Sequence, residues 1–234
     1  MTHRSEEGNE MRLFDGVFTI NDLFELLTFA GFTYYVIKRF ILKQPPIPAA
    51  AYRKIDKDKL RSCLDLLYKN RKMPGPAYAI PKELEQRLLE NLHDPELLRE
   101  LLVSIAAHVG IDGSVIKLKF KDDATLEYAG NISTNGAFTT INLQTHDYYN
   151  LDVLTAILAH EVMHLYLYYN GIRFSDTLSN EVLTDTAAVF FGFGDYLRRG
   201  YKVIEVNLGF SYHKVGYIRQ EDVDFILREM YERC

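Results

Sequence analysis

All seven prolines of this 234-residue chain fall before residue 96, so only its first half carries the residue that breaks helices. Proline lacks a backbone donor and clashes with the preceding turn, which ends a helix interior. Two clusters, Gln44-Pro45-Pro46-Ile47-Pro48 and Met73-Pro74-Gly75-Pro76-Ala77-Tyr78-Ala79-Ile80-Pro81, therefore punctuate an N-terminal region. Between and before them the spacing predicts a helix over about 20–43, capped by Asn21 or Thr19, and another over about 56–72. From Pro81, at a first helical position, leucines at helical spacing carry a run to His108 that Gly110 and Asp112-Gly113 end.

Past residue 110 the periodicity changes to alternation. Segments 115–120, 126–132 and 137–143 read as strands, and the last two flank Ser133-Thr134-Asn135-Gly136, a hairpin turn, so a small, mainly antiparallel sheet is expected. Two long helices follow. One covers about 151–169, capped by Asn150 or Asp152 and stopped by Asn170-Gly171; the other covers about 178–198, with Asp176 and Ser179 as cap candidates and Gly200 as its stop. A last amphipathic helix covers about 220–231. The expected fold class is α+β, with a helical N-terminal region over 1–76 and the sheet and long helices within 77–234.

Composition bounds the partners. With 47% hydrophobic and 25% charged residues the chain can bury one substantial core. A net charge of -5 and no concentrated Lys/Arg run argue against nucleic acid and leave peptides, proteins or small molecules. Cys63 and Cys234 lie far apart and suggest neither a disulfide framework nor a Cys metal pair, which fits a reducing, cytoplasmic setting. Residues 1–12 are polar and acidic, unlike a secretory signal. Segment 23–37 is apolar but short for a bilayer span and contains Glu25, so a buried amphipathic helix is expected there rather than a membrane anchor.

Inside the first long helix stands His160-Glu161-Val162-Met163-His164. Histidines four residues apart share one helix face and can present two imidazoles to one ion, while Glu161 lies about 100° around, placed to take a proton from a metal-bound water rather than to ligate. A catalytic zinc needs a third protein ligand. The next helix offers Asn180-Glu181-Val182-Leu183-Thr184-Asp185, where Glu181 and Asp185 are again one turn apart. One carboxylate can bind the ion while the other accepts the second ring N–H of a ligand histidine and fixes its tautomer.

HEVMH followed by NEVLTD resembles the gluzincin class of metallopeptidases, which pairs HExxH with a downstream NExxxD; the likeness covers about 115–197 and is closest to compact bacterial members. The resemblance implies a zincin-like unit and Zn2+ held by His160, His164 and Glu181. It further implies Glu161 as general base, Asp185 behind a ligand histidine, and a peptide or protein as substrate. Gluzincins stabilise the oxyanion with Tyr or His, and segment 210–218 supplies Tyr217 and His213 as candidates. They also hold the substrate along a strand edge, here 127–131, so Tyr128, Ala129 and Gly130 are expected at the substrate, the two small residues allowing close backbone approach. The competing expectation is a zinc-binding regulator or scaffold that turns nothing over. His108, His146 and the Tyr166, Tyr168, Tyr169 cluster read as structural.

Overall fold

The computed structural model describes residues 11–13, 16–18, 54–121, 129–135, 138–206 and 211–233. The chain forms two compact units, residues 1–47 with 205–211 and residues 48–204 with 212–234. In the first, β1 (Met11–Leu13) pairs antiparallel with β2 (Gly16–Phe18). The helix expected over 20–43, including segment 23–37, lies outside the described residues. Among the described residues no helix is long and apolar enough to cross a membrane.

The second unit is mixed α and β. Helix α1 (Lys57–Asn70), which sequence reading groups with the N-terminal region, belongs to this unit and buries Leu60, Cys63, Leu64 and Leu67. Asp56 caps it by accepting from Asp58 N at 3.1 Å. The single run expected from Pro81 to His108 is two helices, α2 (Lys82–Glu90) and α3 (Pro95–His108). The break has a local cause: Asp94 accepts from the amides of Glu96 and Leu97 at 2.8 and 3.1 Å, and Pro95 sits at the first position, where a missing donor costs nothing. Pro81 caps α2 rather than entering its first turn.

Strands β3 (Ile116–Lys121), β4 (Gly130–Asn135) and β5 (Phe138–Gln144) form one sheet in the order β3-β5-β4. The sheet is mixed rather than mainly antiparallel, because β3 pairs parallel to β5 while β4 pairs antiparallel to it. The strand that takes the centre is the one whose Ile141 and Leu143 are fully buried, and neighbours on both sides satisfy its backbone. The hairpin is also tighter than the sequence suggests. Ser133, Thr134 and Asn135 continue β4, and Asn135 pairs with Phe138.

Helix α4 (Leu151–Tyr169) starts at Asn150, whose side chain accepts from Val153 N at 3.0 Å, and ends at Gly171 with φ +64°. Every residue from Val153 to Met163 is buried, so α4 is the axis on which α3, β4, α5 and α6 pack. Helix α5 (Thr177–Ala188) is capped by Asp176 and packs on α1 and α4. The long helix expected to reach residue 198 is broken by a kink within Val189–Phe193, where Gly192 leaves helical geometry, before α6 (Gly194–Gly200). Strands β6 (Val203–Val206) and β7 (Ser211–Lys214) form a two-stranded sheet, and α7 (Gln220–Glu232) closes the chain against α1 and α6.

A kink interrupts the i to i−4 ladder and turns carbonyls toward neighbouring chain. The proline-rich segment supplies donors instead: Gly75 N bonds Phe190 O at 2.9 Å and Tyr78 N bonds Gly192 O at 3.0 Å. His108 Nε2 donates to Phe191 O at 2.9 Å, which gives that histidine the structural role expected of it. Gly192 has φ +95°, and a Cβ there would stand 1.9 Å from Pro76 O. Gly192→Ala should therefore cost at least ~2 kcal/mol, strain plus a forced shift of the strap. Gly110→Ala, at φ +81° with nothing within 4 Å of the added carbon, should lose only the ~1 kcal/mol of strain. Thermal melts of both variants check the difference.

Candidate metal centre

One turn of α4 and one turn of α5 face each other at the centre. His160 Nε2 lies 3.0 Å from His164 Nε2 and 3.2 Å from Glu181 Oε2, and His164 Nε2 lies 3.3 Å from the same oxygen. These three ligand atoms all fall within 4.8 Å of one another. The helix spacing explains the first pair. The position of Glu181 depends on the link between helices, where Asn180 accepts from Phe174 N at 2.8 Å and donates to Phe174 O at 3.1 Å and Asp176 O at 2.9 Å.

The other nitrogen of each ring is engaged. His160 Nδ1 donates to Asp185 Oδ1 at 2.7 Å. His164 Nδ1 lies 3.3 Å from Thr184 Oγ1, whose own proton goes to Asn180 O at 2.8 Å, so this ring nitrogen is the donor. Both Nε2 atoms therefore turn lone pairs toward each other and toward a carboxylate. Three acceptors at 3.0–3.3 Å repel unless positive charge stands among them. A tetrahedral zinc with ligands at about 2.0–2.1 Å holds them about 3.3 Å apart, so the donor set fits that ion in chemistry and in spacing. In the metal-free protein a proton on His160 serves. Burial pulls its pKa down, but Asp185, Glu181 and Glu161 outweigh that and raise it to about 10.

The carboxylates are pushed apart. Burial lifts Glu161 above the usual carboxylate range against the pull of His160 and His164. For Glu181, burial also pushes up, but the imidazoles of His160 and His164 beside it outweigh that and bring it to about 2. Asp185 is 0% exposed; burial opposes its charge, yet His160, Tyr201 and the Tyr217 amide hold its pKa down.

A cavity of about 500 Å³ opens over these groups, lined by Ala129–Ile132 of the β4 side, His160, Glu161, His164 and Glu181, and Tyr201 and Val215–Tyr217. Ala129 and Gly130 line this cleft, while Tyr128 lies outside the described residues. Tyr217 lines the cleft, its ring stacked on His160 at 5.8 Å and 20°. Burial and then the carboxylates of Glu181, Asp185 and Glu161 raise its hydroxyl to about 12, so it remains a donor at neutral pH. The backbone of His213 runs in β7, and its side chain lies outside what the structure describes.

Sequence reading assigned no role to Thr184, Tyr201 or Gly216. Thr184 carries a faint signal, a polar residue in the turn between Glu181 and Asp185, fully buried. Tyr201 and Gly216 carry none, because only folding brings Tyr201 to Asp185 and Gly216 to the Tyr201 ring. Comparison of the chain with protein-family models, curated proteins and solved structures found no match to any.

Gly130 has a geometric reason. A Cβ there would lie 2.6 Å from Glu161 Oε1 and 3.0 Å from Glu161 Cγ. Gly130→Ala should lower stability, and a double-mutant cycle with Glu161→Ala should return a coupling of at least ~0.5 kcal/mol, since removing the carboxylate frees the space. Chemical denaturation of the four proteins measures it.

Proposed function

We propose that this chain is a zinc-dependent metallohydrolase of the gluzincin type that cleaves peptide bonds in a peptide or protein substrate. The observation that carries the reading is the convergence of three acceptors from His160, His164 and Glu181, with both outer ring nitrogens already engaged. The cleft above them, with a buried carboxylate and a protonated tyrosine, supports hydrolysis over simple storage of an ion. The α+β unit, with a helix-borne HExxH packed under a small sheet, is compatible with a zincin-like catalytic unit. The cysteine usage fits a cytoplasmic enzyme.

His160, His164 and Glu181 would hold the ion. When bound, it supplies a water of lowered pKa and polarises a carbonyl beside it. Glu161 accepts the proton of the attacking water and passes it to the leaving amine, a task suited to a carboxylate whose pKa burial has raised. The Tyr217 hydroxyl donates to the oxyanion as charge develops, and it has no hydrogen-bond partner among the described residues that would compete. Strand β4 is an edge strand among the described residues, and its cleft side, Ala129 to Ile132, offers backbone groups to an extended substrate.

Two carboxylates with different tasks fail differently. Glu161→Gln keeps the shape but cannot take a proton, so zinc should stay near one equivalent while hydrolysis falls about 10² to 10⁴-fold. Glu181→Ala removes a ligand and should weaken zinc binding and lower the melting temperature. Metal analysis, a chelator-controlled peptide-library digest and melting curves test both; zinc and activity retained in both variants would end the reading.

Zinc must also displace the proton held on His160. With that pKa raised to about 10, the metal-free site is protonated at neutral pH. Binding should then release about one proton, and affinity should rise about tenfold per pH unit up to roughly pH 9. Calorimetry in buffers of different ionisation heat reads the proton count.

A further inference from the structure

We infer that Tyr201 is a positioning residue: by fixing the Asp185 carboxylate, its hydroxyl holds His160 and the backbone of Tyr217 and Ile218 in one arrangement. The inference rests on the reading of His160 as a metal ligand and Tyr217 as a cleft donor, and it adds the element that ties them together.

Asp185 Oδ1 accepts from Tyr201 Oη at 2.6 Å and from His160 Nδ1 at 2.7 Å. Its Oδ2 accepts from the amides of Tyr217 at 2.7 Å and Ile218 at 3.1 Å. Both oxygens are therefore committed, one to the metal-site imidazole and one to the loop that aims Tyr217. Because Asp185 is fully buried, water cannot replace a lost donor without opening the core. Tyr201 is the side-chain donor that shares an oxygen with His160, so its hydroxyl sets where that oxygen stands. The phenol is a constant donor, its pKa raised well above the ordinary value by burial and then by Asp185.

Tyr201 meets the same loop a second time through its ring. Gly216 has φ +78°, and a Cβ at that position would fall 2.0 Å from Tyr201 Cε2. The loop backbone closes directly on the ring, a contact that glycine alone permits with this conformation. Tyr201 is 3% exposed. A bulky aromatic at such a site could serve only to fill space, and deleting the hydroxyl while keeping the ring separates the two roles.

The test uses the full chain with Tyr201→Phe. Tyr196→Phe is the matched control, since it also removes a hydroxyl from a buried ring, one that accepts from Ile80 N at 3.4 Å away from Asp185. Amide hydrogen exchange of Tyr217 and Ile218 is followed by NMR in metal-free protein, and zinc affinity by competition with a chromophoric chelator. In Tyr201→Phe both amides should exchange about tenfold faster or more, and zinc affinity should fall about tenfold, while the control leaves both within about twofold. Unchanged exchange of the two amides in Tyr201→Phe overturns the inference, even if that variant melts lower. A wild-type chain that takes up no zinc, with the two amides still loosened by Tyr201→Phe alone, would sink the metallohydrolase reading and leave the positioning role standing.

Discussion

The buried carboxylate of Asp185 accepts hydrogen bonds from His160 on α4, from Tyr201 after α6, and from the amides of Tyr217 and Ile218 before α7. A charge withdrawn from water costs several kcal/mol unless it is paired and hydrogen-bonded. Bonds to a charged acceptor return roughly 1.5–3 kcal/mol each, so the four donors together offset that cost. That requirement ties three separate stretches of chain to α5 at one point. The rest of the unit can be understood as the framework that brings them there: α4 as a helix buried on every side through its middle, α5 anchored at its start by Asn180, and the kink at Gly192 braced by the proline-rich strap.

The same environment divides labour between two glutamates. Glu161 sits 5% exposed against Gly130 and Ile157, and its charge is disfavoured there. Glu181 is closer to solvent and stands beside two imidazoles, so its charge is favoured. Titratable groups whose surroundings push them in opposite directions are suited to different tasks, one to exchange a proton and one to remain an anion. Gly130 matters as much as any charged residue here, because a single methyl group would occupy the space of the Glu161 carboxylate.

Much of this was legible in the sequence because it is local. The one-turn spacings of His160 with His164 and of Glu181 with Asp185, the caps at Asn150 and Asp176, and the stop at Gly171 all act within a few residues, where the helix period alone sets the geometry. Where competing local signals met, the reading was coarser. Leucine spacing runs on through the break at Asp94-Pro95, and nothing in the periodicity after Asp176 marks the break at residue 189.

Sequence by itself determined the α+β class, the extent of α4, and which side chains could share one helix face. Tertiary structure alone decided that β3 runs parallel to β5, that Gly130 lies against Glu161, and that Tyr201 and the 215–218 loop converge on Asp185. The physical reason is range. A helix turn is specified by neighbours three and four residues away, whereas strand order and the partners of a buried charge follow from which distant surfaces can be desolvated together, and no local spacing encodes that.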